Sequence, residues 1–475
     1  MNKPIARIFS VFVLLFAILV GYTSYNAVFR AEELQADPEN RRSLIRQVEL
    51  PRGVISAGGG DDVAVSEQTS GGETPVFERR YPQGQLFAHP IGYAYFDVGS
   101  SGLERFYDED LSGQGDEFES IIDDLSGEAI EADALTTNLD PQGQQAAMDA
   151  LGDRAGSIVA IEPDTGKVLV MASTPTFDPN AVPEQLEQLN QDEAARPLVN
   201  RATQEAYPPG STMKVVTTAA ALDSGEFTPE SVLNGESGQI IGGAPLENFG
   251  GQSFGSVSLT DALTNSVNTV FGQVGEQLGS DTMFEYMERF GFDEELPLDY
   301  PSDQLFPSGV YTEDGLLEPG DEIDVGRVAI GQGGLLVSPL QMAMVAAGVA
   351  NDGEMMAPRL GDQVVASDGR VKRTIGSDGS RVMSPEASDQ LTEMMTNVVE
   401  EGSGTAAALS GVDVAGKTGT AEAPGGNQPW FIAFAPSDDP QVAIAVTLEP
   451  VGETETGGEN AAPLAKQVLE VLLSG

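Results

Sequence analysis

The 475-residue chain has no cysteine and a single histidine, His89. The first absence excludes disulfide bonds, cysteine nucleophiles and the usual thiolate zinc sites. The second removes the commonest general base. A Ser-His-Asp arrangement could be built only on His89, so acyl-transfer chemistry here must move its protons through lysine or a carboxylate. Positive charge is scarce as well: 24 Lys and Arg stand against 74 Asp and Glu, a formal net charge of -50. Nucleic acid is thereby excluded as a partner, because binding it rests on cations that neutralise phosphates. The acidity suits a strongly solvated surface and fits a protein that meets high salt outside the cell. An apolar content of 40% argues against disorder over most of the length.

What is present begins with an apolar run. No residue from Ile8 to Phe29 is charged, and as a helix this stretch would reach about 33 Å, enough to cross the hydrocarbon core. A cleaved signal needs small residues at its cleavage site, and the bulky Tyr25 stands two before Ala27. Residues 1–30 therefore read as a cytoplasmic tip and an uncleaved anchor embedded through residues 8–29. Lys3 and Arg7 favour an N-terminus inside the plasma membrane with everything after residue 30 outside.

Residues 31–145 are polar and loop-rich, with "SAGGGDDVAVSEQTSGGET" and the acidic "YDEDLSGQGDEFESIIDDLSGEAIEAD". Between them "YPQGQLFAHPIGYAYFDVGSSGLERFYDEDLSG" carries enough aromatics to fold. Over residues 146–475 the texture changes. "SIVAIEPDTGKVLVMAS" reads as a β-hairpin around "PDTG". "VAGKTGTAEA", "QPWFIAFAPS" and "QVAIAVTLEP" read as three more strands. The closing "APLAKQVLEVLL" places Leu464, Val468, Val471 and Leu472 on one helical face. The pattern predicts an α+β fold: one antiparallel five-stranded sheet packed with helices, with a helical subdomain inserted between its strands.

Three short patterns could carry chemistry. "YPPGSTMKVV", Tyr207 to Val216, sets Ser211 one helical turn before Lys214. Pro209 and Gly210 force a sharp turn that puts Ser211 at or near a helix N-terminus, where its backbone N–H is unpaired and could face an oxyanion. An unprotonated Lys214 on the same face could be its base. Alone, the pattern describes an N-cap serine equally well. "LTNSVNTVFGQVG" offers Ser266 and Asn268 around Val267. The hydroxyl could relay a proton and the amide could hold a carbonyl or the lysine, or both could form a polar helix cap. Ser24-Tyr25-Asn26 matches as well inside the apolar run. "VAGKTGTAE" sets Lys417, Thr418, Gly419 and Thr420 along a strand, where an ammonium and hydroxyls beside a glycine suit an anionic ligand laid on a strand edge. A second cation near Lys214 would lower its pKa, as would burial.

The order S-x-x-K, S-x-N, K-T-G is the set found in penicillin-binding proteins and class A β-lactamases. The chain resembles the class B penicillin-binding proteins, in particular their actinobacterial division-associated type. The likeness extends to "PRGVI" at Pro51, to "GQLFAHPIGY" and "GLERFYDEDLSG", and to "IGQGGLLVSPLQMA" from Ile330 to Ala343. It implies an N-terminal pedestal used for dimerisation or interaction, a transpeptidase domain, and a D,D-transpeptidase that cross-links peptidoglycan stem peptides without a cofactor or metal. By motif, Ser211 would be acylated by the D-Ala-D-Ala donor, with Lys214 as base and Ser266 and Asn268 as proton relay and clamp. Lys417 and Thr418 would bind the terminal carboxylate that β-lactams mimic, and the backbone N–H groups of Ser211 and Thr420 would form the oxyanion hole. An amine acceptor and a membrane glycosyltransferase of the SEDS type are the further partners the resemblance implies. Val267 stands where the set has aspartate, and "SAGGGDDVAVSE" stands where the family has a more compact hairpin.

The same chemistry also allows a D,D-carboxypeptidase or a β-lactamase, which would pass the acyl group to water. A β-lactam sensor would need a cytoplasmic signalling domain, and Met1 to Arg7 leave no room for one. A division scaffold with a vestigial cleft would not need the three motifs intact. No glycosyltransferase module precedes the pedestal, so a bifunctional enzyme is not expected. His89 reads as structural, and Trp430 and Phe431 read as core or cleft wall.

Overall fold

The computed structural model describes residues 2–29, 50–69, 75–113, 132–317, 320–450 and 452–474. The N-terminal helix α1 (Asn2–Phe29) is, among the described residues, the one helix long and apolar enough to cross a membrane. Phe9, Phe12 and Phe16 are exposed along it.

After α1 the principal elements are, in chain order, β1 (Ile55–Ser56), β2 (Asp62–Gln68), β3 (Phe77–Arg80), α2 (Gly102–Phe106), β4 (Ala134–Thr137) and α3 (Pro141–Leu151). There follow β5 (Gly156–Ile161), β6 (Val168–Thr174), α4 (Lys214–Asp223), α5 (Leu259–Thr264), α6 (Asn268–Arg289), which is broken at Gly279, and α7 (Pro339–Ala350). The chain closes with β7 (Gly361–Val365), β8 (Val371–Thr374), α8 (Pro385–Glu400), β9 (Ala415–Ala423), β10 (Gly426–Ala435), β11 (Val442–Leu448) and α9 (Ala462–Leu472).

The predicted sheet is present, with strand order β9-β10-β11-β5-β6 and every pairing antiparallel. Its strands read as unbroken apolar runs because both faces are covered. Val159, Met171, Ile432, Phe434 and Ala445 face one core with α7 and the helical region. Ile158, Val170, Phe431, Ile444 and Val446 face a second core under α3 and α9. α9 buries Leu464, Ala465, Val468 and Leu469, so the buried face is rotated from the expected one: Val471 and Leu472 are half-buried at the end of the helix.

The N-terminal half is more ordered than its polar sequence suggests. "SAGGGDDVAVSE" forms the hairpin of β1 and β2, with Val63 and Ala64 in the core. The polar residues Asp62, Glu67 and Gln68 at the two ends of β2 are the exposed ones. These strands join a six-stranded sheet, β8-β7-β4-β1-β2-β3, whose β7 and β8 come from the far half of the chain. Asp299 locks that crossover: it accepts from Tyr107 Oη (2.6 Å) and from the backbone N–H groups of Leu360 (2.6 Å) and Gly361 (2.7 Å). Most of the acidic stretch, residues 114–131, lies outside the described residues, as do residues 30–49.

Glu104 ties two stretches singled out in the sequence, "PRGVI" and "GLERFYDEDLSG". Fully buried, it accepts from Arg52 Nε (2.6 Å), Arg79 Nε (2.5 Å) and Tyr81 Oη (3.1 Å). Burial alone would raise its carboxyl pKa; Arg79 and Arg52 outweigh this and hold it below the usual range. Because the folded pKa is depressed, the stabilisation is complete above the unfolded value of about 4.3 and is lost as pH falls through the folded one. Glu104→Gln leaves the buried Arg79 guanidinium without a carboxylate partner, while Arg52 keeps its ion pair with Asp108 at 2.6 Å. The substitution is expected to destabilise the N-terminal sheet by about 3–5 kcal/mol. Hydrogen exchange of residues 55–68 in the full chain, faster in the variant at pH 7 with the difference shrinking towards pH 3, checks this.

Candidate active site

Ser211 lies in a single 3-10 turn, Gly210–Met213, and Lys214 opens α4. The sequence reading placed Ser211 at or near a helix N-terminus, and it lies three residues before α4 begins. The tighter turn has a physical consequence, since residues three apart eclipse in a 3-10 turn and Ser211 and Lys214 share one face. No side chain caps either the turn or α4, so the alternative of an ordinary capping serine is not realised. Gly210 has φ +53°, and its N–H donates to Gly331 O at 3.1 Å. A Cβ on Gly331 would lie 2.0 Å from Gly210 O, which explains the first glycine of "IGQGG" as the floor beneath the serine turn.

Ser266 ends the link from α5 to α6 in the left-handed region, φ +57°, a conformation that non-glycine residues rarely adopt. The twist turns its carbonyl onto Lys214 Nζ at 2.8 Å. Lys214 Nζ also donates to Asn268 Oδ1 (2.7 Å) and Ser266 Oγ (3.2 Å). Asn268 is held from its other end, Nδ2 donating to Glu247 O at 3.0 Å. Val267 is fully buried in the core, facing away from this cluster, so the position that is aspartate in the related set supplies packing here.

Lys417 reaches the same hydroxyl from the opposite side, Nζ to Ser266 Oγ at 3.0 Å, with a second bond to Thr418 O at 3.0 Å. It projects from β9, the edge strand of the sheet. That strand presses on the serine turn so closely that a Cβ on Gly419 would lie 2.8 Å from Pro209 O and 2.9 Å from Trp430 Cβ. The threonine on either side, Thr418 or Thr420, could not replace this glycine. Thr420 Oγ1 accepts from Gly457 N at 3.2 Å, and Thr418 Oγ1 lies 2.6 Å from Ser403 Oγ. Trp430 and Phe431 are fully buried, and Trp430 Nε1 donates to Pro208 O at 3.0 Å behind the turn.

Both lysines are fully buried. Loss of hydration pushes Lys214 well below the ordinary lysine range, and the charge of Lys417 pushes it further. Loss of hydration alone lowers Lys417 to about 7. Near neutral pH a free amine at Lys214 is therefore accessible, as a general base requires. The arrangement can deprotonate a hydroxyl at Ser211, pass a proton through Ser266, and offer an ammonium and hydroxyls to an anion along β9.

Every residue named from the sequence falls in this one place: Ser211, Lys214, Ser266, Asn268, Lys417, Thr418, Gly419 and Thr420. His89 does not. It is buried in the N-terminal half, with Nε2 3.0 Å from Pro197 O, and burial lowers its pKa to about 4. Sequence reasoning missed Ser403, Gly331 and Phe271, whose ring centroid lies 5.4 Å from Lys214 Nζ. Gly331 and Phe271 lie within stretches quoted from the sequence and Ser403 does not, but the contact that gives each its place at the site is tertiary.

Two family models match the chain: "Penicillin binding protein transpeptidase domain" over residues 156–470 and "Penicillin binding protein A dimerisation domain" over residues 52–134. The "Peptidoglycan D,D-transpeptidase PbpA" of Mycolicibacterium smegmatis is 36% identical over 504 residues, spanning 100% of this chain and 99% of the relative. The protein of the same name from Mycobacterium tuberculosis H37Rv is also 36% identical, spanning 100% of both chains. Among solved structures, penicillin-binding protein A from M. tuberculosis as its imipenem acyl-enzyme complex matches with a TM-score of 0.80 at 34% identity, over 90% of this chain and 100% of that one. A D,D-transpeptidase domain from Eggerthella lenta matches with a TM-score of 0.79 at 33% identity, over 90% of this chain and 99% of that one.

The Lys417 charge is one of the two causes that depress Lys214. In Lys417→Met the amine remains buried but loses its cationic neighbour, so its pKa is expected to rise while staying below the ordinary lysine value. The chain has six lysines, few enough to resolve the Lys214 ε-CH2 by NMR with 13C-labelled lysine. A Lys214 titration midpoint unchanged in the variant would contradict the electrostatic coupling.

Proposed function

Because the chain belongs to the penicillin-binding-protein transpeptidase family, we propose that Ser211 is the nucleophile of a peptidoglycan D,D-transpeptidase whose cleft is the Lys214–Ser266–Lys417 cluster. The observation that carries the assignment is the convergence of two buried lysine side chains on one hydroxyl, Ser266 Oγ, beside a serine that no capping bond occupies.

In this reading Lys214 takes the Ser211 proton as Oγ attacks the penultimate D-Ala carbonyl of the donor stem peptide. The Ser211 and Thr420 N–H groups stabilise the oxyanion, since the edge strand and the serine turn are in direct contact. As the tetrahedral adduct collapses, the C–N bond to the terminal D-Ala breaks, and Ser266 relays a proton to that leaving amine. Asn268 holds Lys214, while Lys417 and Thr418 bind the terminal carboxylate, with Gly419 keeping the strand close. An acceptor amine then attacks the acyl-Ser211 ester, completing the cross-link and freeing the hydroxyl. A β-lactam enters the same path, but its leaving group remains tethered and the ester persists.

The wider organisation follows the same reading: anchor at residues 1–30, pedestal at 31–145, transpeptidase domain at 146–475. α1 would fix the chain in the plasma membrane as a single pass. Lys3 and Arg7 favour a cytoplasmic N-terminus and an extracytoplasmic catalytic domain. The pedestal lies between anchor and catalytic domain, where a SEDS-type membrane glycosyltransferase would dock.

An intact-mass time course of the full chain in detergent with benzylpenicillin tests the central assignment. A mass increase of one drug molecule that persists for many minutes and is absent in Ser211→Ala is expected. An adduct that clears within seconds would make the protein a hydrolase, and no adduct at all would overturn the catalytic assignment.

A further inference from the structure

Ser403 lies outside the three motifs, in the turn after α8, yet its hydroxyl is 2.6 Å from Thr418 Oγ1. Neither residue has another side-chain hydrogen bond among the described residues. The turn that carries Ser403 is itself wedged between both sides of the cleft. Ser403 N donates to Thr264 O, two residues before Ser266, at 3.4 Å. A Cβ on Gly402 would lie 2.5 Å from the same Thr264 carbonyl, and one on Gly458 would lie 2.5 Å from Ser403 O. Thr418 is buried at 6% exposure, whereas Ser403 faces solvent.

A hydroxyl has one proton and two lone pairs, so the Ser403–Thr418 contact can run in either direction. Only one direction suits an anion. If Thr418 donated to Ser403, it would turn a lone pair towards the ligand and repel a carboxylate. If Ser403 donates, the Thr418 proton is free to point at the carboxylate, and the two hydroxyls form a donor chain in which each bond strengthens the next. We propose that Ser403 is a positioning residue for anion recognition: by donating to Thr418 Oγ1 it fixes the Thr418 hydroxyl as a donor to the ligand carboxylate. The proposal rests on the reading of Thr418 as a carboxylate contact given above.

Water competes at an exposed serine, so the effect is that of one modest hydrogen bond, about five-fold in rate. The test is the second-order rate of acylation of the full chain by benzylpenicillin in four proteins compared with wild type: Ser403→Ala, Ser403→Thr, Thr418→Val and the double variant Ser403→Ala/Thr418→Val. Ser403→Ala is expected to acylate about five-fold more slowly, and Ser403→Thr, which keeps the hydroxyl, to match wild type. In the Thr418→Val background, which has no hydroxyl left to orient, adding Ser403→Ala is expected to cost nothing further. Ser403→Ala at the wild-type rate, Ser403→Thr as slow as the alanine variant, or additive losses in the double variant would each overturn the proposal while leaving the transpeptidase reading intact. A wild-type chain that forms no adduct overturns both.

Discussion

Two lysines buried around one serine hydroxyl set the terms for everything else in this molecule. Removing an ammonium from water is costly, and placing a second one beside it costs more. The chain meets that cost by letting protons leave: Lys214 falls well below its ordinary range and Lys417 to about 7. What would be a stability defect in a structural core is a reactive base in a cleft. With no free histidine to serve, the depressed lysine is the remaining route to a neutral base near neutral pH.

Such a pair persists only if its surroundings cannot relax, and the fold supplies that rigidity from both faces of the sheet. α7 is buried along its whole length beneath β5 and β11, while α3 and α9 cover the opposite face. Edge strand β9 is thus held against the serine turn, with no space for a Cβ at Gly419 or Gly331. The left-handed Ser266 is held in the same way, by Val267 in the core behind it and Asn268 at the start of α6. Local strain at Ser266 is what aims its carbonyl at Lys214, so packing energy is converted into the orientation of a proton acceptor.

How much of this was legible in the sequence depends on whether the signal was local. The apolar runs "SIVAI", "WFIAFA" and "VAIAV" announced strands because both faces of each are buried. The serine, the two lysines and the asparagine were found because their spacing and order are set by the turn, the helix start and the strand they occupy. The hairpin at residues 55–68 was hidden by its glycine- and acid-rich sequence, and the face of α9 was misjudged because packing against β11 and α3 sets the rotation: Ala465 and Leu469 are buried where Val471 and Leu472 were expected. The roles of Ser403 and Gly331 were hidden for a stronger reason. These exist only as contacts with residues 15 and 121 positions away, Thr418 and Gly210.

The acid surface and the cationic cleft act against each other, and distance decides the balance. A net charge of -50 raises the energy of any anion approaching from solution and favours the protonated form of both lysines. Exposed charges more than a Debye length away, about 10 Å at 0.1 M salt, are largely screened, whereas the two lysines are fully buried and in direct contact with Ser266. Salt therefore removes the unfavourable long-range field and leaves the short-range chemistry almost untouched. Among the described residues no carboxylate hydrogen-bonds to Lys214 or Lys417, so the acidity stops short of the cluster itself. An acidic exterior and a depressed lysine base are compatible because burial, and not surface charge, governs the amine.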